Sequence, residues 1–147
     1  MLKESLNKWL KIDPISIIRQ VLSDRAIINW IEEANRKQLL KGKNSLDVKL
    51  SDIGGGYSDF TLQLNPSKKR DVVNLLDTGE FHDSITAKVD TSLLEIDADP
   101  FKTDDFGNDT NLFDSWGEDI IGLNEENLQQ LIKTLKDKLI IEILKKV

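Results

Sequence analysis

The spacing of the apolar residues constrains the fold of this chain more than any other feature. Near both ends of the chain they recur every three or four residues, as they do on one face of an amphipathic helix. In between, over residues 47–98, several short segments alternate apolar and polar residues, which is typical of half-buried strands. A chain of 147 residues is long enough to bury one core. We therefore predict a single α+β domain over residues 1–147, with two long helices packed on a small, mainly antiparallel sheet.

Capping signals place the two long helices. Asp13 followed by Pro14 is a helix start, because an acceptor side chain at the N-cap precedes proline at the first helical position. The spacing that follows predicts a helix over residues 14–40, ended by Gly42. A second helix is predicted to begin after Asn124 and to run to the C-terminus, with an apolar stripe wide enough for an intersubunit contact. Residues 1–12 are interpreted as an N-terminal arm or a short helix.

The segments between these helices are predicted to form the sheet. Four of them have strand-like alternation, namely residues 47–50, 60–64, 84–89 and 93–98. The last two are predicted to form a hairpin through a polar turn at residues 90–92. Three consecutive glycines at residues 54–56 predict a flexible loop, and residues 97–114 are predicted to be an acidic surface loop.

The formal net charge of −6 is unevenly distributed along the chain. Residues 1–70 carry 13 basic and 8 acidic side chains, residues 71–127 carry 2 and 16, and residues 128–147 carry 5 and 2. The acidic middle argues against a dedicated nucleic-acid binder. The first residues lack the apolar run of a signal peptide, and the apolar stretch at residues 139–144 is too short to span a bilayer. We therefore expect synthesis in the cytoplasm and no membrane partner.

Composition also restricts the chemistry. The chain has no cysteine and a single histidine, which excludes a thiol nucleophile and requires any Ser-His-Asp triad to use His82. His82, Asp83 and Ser84 have the residue types of a triad, but successive residues of a strand point to opposite faces, so we predict no catalytic residues and no cofactor. The acidic loop invites a calcium hypothesis, but the ligand spacing of an EF-hand places Phe101 or Phe106 at ligand positions. We therefore predict a solvated loop without a metal over its carboxylates, which are Asp97, Asp99, Asp104, Asp105 and Asp109.

One ordered set of residues carries more information. It comprises an aromatic and threonine segment, a basic stretch at residues 68–70 and a turn leading into the predicted hairpin. The side chains of Asp77 and Thr78 can form hydrogen bonds with the backbone of the turn, and Gly79 can adopt the positive φ that a sharp reversal requires. The candidate turn or assembly residues are Tyr57, Thr61, Leu76, Asp77, Thr78, Gly79, Phe81, Ser84 and Ile85.

This order resembles the tailed-phage virion-morphogenesis proteins, the tail-completion and head–tail connector group. The signature of that group is leucine, any residue, threonine-glycine, any, leucine, two further residues and serine-isoleucine. Phe81 replaces the second leucine here. The resemblance covers residues 35–96, and residues 116–123 are similar to a segment of a related branch. The acidic insert at residues 97–114 departs from the shorter members.

The resemblance implies a structural virion protein without catalysis, which self-associates into a ring at the phage neck or tail end. Such rings are hexameric in tails of this kind, and their partners are neck, portal or tail-tube proteins. DNA would pass through without specific binding. The location would be the virion, and the host cytoplasm during assembly. A small cytoplasmic protein-binding module and an acidic-loop metal-binding protein are the alternative hypotheses.

Overall fold

The structure is a computed structural model that describes residues 2–90, 94–103 and 106–146. The chain has both helices and antiparallel strands, so the α+β class is confirmed, although helices dominate. In chain order the described elements are α1 (Leu2–Leu10), α2 (Pro14–Leu22), α3 (Arg25–Leu40), α4 (Leu50–Gly54), α5 (Asp59–Leu64), α6 (Glu80–Ser84), β1 (Thr86–Lys88), β2 (Glu95–Asp97), β3 (Phe101–Thr103), β4 (Asp109–Asn111), α7 (Leu112–Trp116), a 3₁₀ turn (Glu118–Ile120) and α8 (Glu125–Lys146).

The prediction of one continuous helix over residues 14–40 is wrong, because the chain stops and restarts at Ser23 and Asp24. The Ser23 hydroxyl donates to Arg19 O at 2.7 Å and closes α2. The Asp24 carboxylate then accepts from Ala26 N at 2.8 Å and caps α3. Both side chains offer local bonds that compete with the helical ladder, which is why the helix breaks here. The predicted end at Gly42 is correct, with φ of 75°.

The predicted C-terminal helix is confirmed as α8. Asn124 caps it by accepting a hydrogen bond from Asn127 N at 3.0 Å. Near its start it contacts the C-terminal part of α3 through Gln38, and further along Lys138 lies 3.6 Å from Asp24 at the start of α3. These two helices therefore run antiparallel. Within the described residues, no helix combines the length and the apolar character needed to cross a membrane.

Two of the four strand predictions are wrong because local hydrogen bonds favour turns and helices. At residues 47–50, Asn44 Oδ1 accepts from Leu46 N and Val48 N, and Asp47 has φ of 59°. This is a turn that leads into α4. At residues 60–64 the chain forms α5 instead of a strand, since Ser58 Oγ accepts from Thr61 N at 3.2 Å.

The predicted hairpin is present but shorter than its two segments. β1 and β2 pair antiparallel with Ala87 opposite Ile96. Ser84 does not begin the strand as predicted, because it ends α6. Residues 91 and 92 of the predicted turn lie outside the described residues.

The predicted loop at residues 97–114 contains a second hairpin. Phe101 pairs with Asn111 and Thr103 with Asp109 in the antiparallel ladder of β3 and β4. The same segment then enters α7, capped by Asn111, which accepts from Phe113 N at 2.9 Å. The prediction of an irregular loop is therefore wrong over these elements.

Apolar side chains form two clusters along α3. The first joins α2, the first half of α3, β1 and α8. The second joins the end of α3 to α4, α6, α7 and the 3₁₀ turn. Ile96 packs against both clusters. The helix α3 therefore links two parts of the core, with α8 beside the first part.

Two buried amides hold the segment that connects the 3₁₀ turn to α8. Asn35, with no solvent exposure, donates to Ile120 O at 3.1 Å and accepts from Gly122 N at 2.8 Å. Gln38 donates to Gly122 O at 2.9 Å and accepts from Asn124 N at 2.8 Å. These bonds satisfy backbone groups that would otherwise be buried without partners.

Candidate functional site

The motif predicted from sequence is organised around Asn74. The hydroxyl of Tyr57 donates to Asn74 Oδ1 at 3.0 Å and accepts from Asn74 N at 3.1 Å. The ammonium of Lys68 lies 4.5 Å from the centre of the Tyr57 ring, in a cation–π contact. The aromatic segment and the segment before the turn therefore meet, which the order of the motif alone did not indicate.

The turn itself adopts the conformation that its residues predicted. Gly79 has φ of 89° and precedes α6 as its N-cap. Thr78 Oγ1 accepts from Glu80 N at 3.4 Å. Lys68 donates to Leu76 O at 3.0 Å and fixes the segment before the turn. The chain reverses into a short helix, however, and reaches the strand only at Thr86.

The end of the motif is buried and tied to α3 by Arg36. Its guanidinium donates to His82 O at 2.8 Å and to Ile85 O at 2.9 Å, which satisfies carbonyls at the end of α6. Phe81 and Ile85 belong to the second apolar cluster. These residues of the motif therefore position the backbone and are inaccessible to a partner.

Of the nine candidate residues, three consecutive ones, Leu76, Asp77 and Thr78, are exposed. Thr61 is separate from them, since its hydrogen bonds run to Ser58 and Asn65 around α5. The structure thus brings Tyr57 to the turn but does not bring Thr61 there. We call residues 76–78 the exposed turn.

A lysine from the second hairpin, Lys102, contacts the exposed turn at residues 76–78. The Lys102 ammonium donates a hydrogen bond to the Asp77 carboxylate. This hydrogen bond, together with the positive charges of Lys102 and Lys68, lowers the pKa of Asp77 below its ordinary value of 3.8. Burial of the carboxylate has a smaller, opposing effect on the same pKa. The contact fixes the β3–β4 hairpin beside the turn.

No triad forms at His82, Asp83 and Ser84. His82 is buried with Nε2 2.7 Å from the carbonyl oxygen of Asn74. Ser84 Oγ donates to Phe81 O at 2.7 Å and accepts from Asp99 N at 2.9 Å. Nε2 of His82 and the hydroxyl of Ser84 are thus bonded to backbone groups. Over the described ranges no three acidic or histidine side chains gather in a metal-binding group, while Asp104 and Asp105 lie outside them.

A set of apolar side chains is exposed at the end of the molecule where α1 and the last turns of α8 lie. The sequence predicted the wide apolar stripe of α8 but did not indicate the exposure of α1. Every residue of α1 is exposed, and Leu2 and Leu10 are 77% and 83% accessible. The cleft beside α1 is lined by Lys8 and Lys11 together with Lys146 of α8. We call this surface the basic end. Its exposed apolar residues are Leu2, Leu6, Trp9, Leu10, Ile140, Ile141 and Leu144. Their i, i+4 spacing in both helices was the available signal.

A second surface has the opposite charge. The side chains of Phe101, Thr103 and Asp109 share one face of the β3–β4 hairpin, because residues paired directly in an antiparallel ladder point the same way. Asp97 and Asp99 lie just before this strand and are exposed. We call this surface the acidic face. Its exposed apolar residue is Phe101, 68% accessible.

No family model, curated protein or solved structure matches this chain.

Proposed function

We propose that this chain is a structural protein of a tailed-phage particle, which self-associates into a ring at the neck or tail end and has no catalytic role. The ordered motif between Tyr57 and Ile85 supports the family, and the exposed apolar residues support the self-association. A group of large exposed apolar side chains marks an interaction site more often than a free surface. Partners would be other neck, portal or tail-tube proteins.

The exposure of α1 is the observation that carries the proposal. Helices of fewer than about 12 residues are marginal in water unless an apolar face is covered. The 9 residues of α1 bury no side chain against the chain itself. Leu2, Leu6 and Leu10 nevertheless follow one face of this helix. A further protein surface is therefore needed to cover that face.

The motif supports a role in shape and not in chemistry. The Tyr57 hydroxyl, Nε2 of His82 and the Ser84 hydroxyl bond to Asn74 or to nearby backbone groups, so they position the chain. The acidic side chains of residues 71–127 that lie outside the acidic face also suit a ring through which DNA passes, since a negative lining repels phosphate. DNA would then move through without being held.

The arrangement of neighbouring genes tests the family directly. We expect genes for a portal, a capsid and a tail-tube protein beside the gene for this chain. As the biochemical counterpart, particles assembled without this chain should contain filled heads and tails that fail to join or to terminate correctly. Neighbouring genes for metabolic enzymes, or normal infectious particles in its absence, would contradict the proposal.

A further inference from the structure

We propose that the basic end of one copy docks on the acidic face of the next copy, which makes the contact between subunits head-to-tail. This interface rests on the proposed self-association and specifies which surfaces form it. When two copies bind through two different surfaces, the pair still has one free basic end and one free acidic face. Further copies can therefore add until the ring closes.

The two surfaces lie at opposite ends of the fold. Gln38 binds the start of α8, whereas Asp24 contacts Lys138 further along it, and the 22-residue helix continues beyond that point to the basic end. A helix of that length extends about 33 Å. The acidic face is tied to the other end, because Leu112, next to β4, packs in the same cluster as Leu39 at the end of α3. The basic end of a molecule therefore cannot contact the acidic face of the same molecule.

The charges of the two surfaces are complementary. The helix α1 with the following residue carries three lysines against one glutamate, and the end of α8 adds Lys145, which binds Glu142, and Lys146. The acidic face carries the exposed carboxylates of Asp97, Asp99 and Asp109, and Lys102 of the same hairpin binds Asp77. Two basic ends would repel each other, as would two acidic faces, so charge favours the unlike contact.

Both surfaces also offer apolar side chains. The stripe of Leu2, Leu6 and Leu10 on α1 needs a cover, and the exposed Phe101 follows Asp99 and lines a cleft beside the turn at residues 77–80. An aromatic anchor surrounded by charge is the usual composition of a protein interface with a polar rim. The interface would thus combine apolar burial with paired charges.

Matched charge reversals test the interface. One variant carries Lys8→Glu and Lys11→Glu, and a second carries Asp97→Lys and Asp109→Lys, all at exposed positions. Sedimentation velocity at low salt should show that each variant alone associates at least about tenfold more weakly than the wild-type chain. An equimolar mixture of the two should recover assembly, because each reversed surface then finds a complementary one. A control variant with Lys49→Glu and Lys69→Glu has the same net charge as the first and should assemble normally.

The outcomes separate the interface from the proposed function. Wild-type assembly that both reversals leave unchanged would overturn the head-to-tail contact and leave the ring proposal intact. Loss of assembly in the first variant alone, with the second unaffected, would also overturn it, because it indicates contact between two basic ends. A wild-type chain that stays monomeric would overturn both. Circular dichroism of each variant confirms that the fold is retained before these results are compared.

Discussion

At the residue scale, the fold depends on a few polar side chains that bind backbone from distant segments. Asn35 and Gln38 hold the approach to α8, Arg36 holds the end of α6, and Asn74 holds Tyr57. The first three are adjacent in the second half of α3. This part of α3 therefore connects two separate segments, the approach to α8 and the end of α6, through hydrogen bonds as well as through apolar packing.

Replacing Asn35 by alanine should destabilise the protein strongly. The change leaves the carbonyl of Ile120 and the N–H of Gly122 without their partner in a buried site. We expect the free energy of unfolding to fall by about 2–4 kcal/mol in urea denaturation. The control is Lys37→Ala on the exposed side of the same helix, for which we expect a change within about 0.5 kcal/mol. Similar losses for the two variants would contradict the role given to Asn35.

The contact between Lys102 and Asp77 should contribute stability that depends on pH. Because the pKa of Asp77 is lowered in the folded state, this contribution is complete above the ordinary value of 3.8 and is lost as the pH falls through the folded-state value. Since the Asp77 side chain is 61% exposed, we expect less than about 1 kcal/mol. Asp77→Asn should therefore unfold more easily than the wild type at pH 7, and the difference should shrink below pH 3.8. A difference that stays constant with pH would refute this effect.

At the element scale, the break between α2 and α3 decides how the N-terminal half packs. Apolar spacing continues across it with one larger gap, and so the periodicity alone predicted one helix. The hydrogen bonds of Ser23 and Asp24 cause the helix to break here. Each of these side chains binds a backbone group that would otherwise bond within a continuous helix.

Two substitutions at Asp24 separate the cap from the ion pair with Lys138. Asp24→Ala removes both, and we expect it to lower the free energy of unfolding by about 1–2 kcal/mol. Asp24→Asn keeps a capping oxygen and loses only the charge, so it should cost less than about 1 kcal/mol. Chemical denaturation measures both values, and equal losses would show that the cap is not the stabilising part.

Elements with strong caps could be predicted from the sequence, whereas the short ones could not. Asp13 and Asn124 each precede long amphipathic stretches, and both helix starts are correct. At residues 60–64, Phe60, Leu62 and Leu64 alternate as in a strand, but Phe60 and Leu64 are also four residues apart and share a helix face. Periodicity cannot separate these cases over six residues, and the Ser58 cap settles it as α5.

Close packing of glycine is another feature that the sequence does not reveal. The glycines at residues 54–56 predicted a flexible loop, yet a side chain at Gly54 would come within 2.7 Å of the Trp116 indole nitrogen. The partner is 62 positions away, so nothing local indicates it. The same applies to the site, where Gly79 and the turn could be predicted, while the bond between Tyr57 and Asn74 and the exposure of α1 required the structure.

At the scale of the whole molecule, the basic and acidic segments of the sequence lie at opposite ends of the fold. The basic flanks contribute α1 and the end of α8 at one end, and the acidic middle contributes the β3–β4 hairpin at the other. A molecule with complementary ends is suited to repeated head-to-tail contact. Its assembly should weaken as salt rises, because the Debye length falls from about 10 Å at 0.1 M to about 3 Å at 1 M.

The mass of the purified wild-type chain at increasing concentration tests the self-association most directly. Native mass spectrometry and sedimentation velocity should show one discrete oligomer, an integer multiple of 16.7 kDa, whose size stops increasing once it is populated. This is the expected behaviour of a closed ring, which leaves no free surface for further addition. A monomer at every concentration and at low salt would contradict self-association, and a distribution that keeps growing would contradict closure.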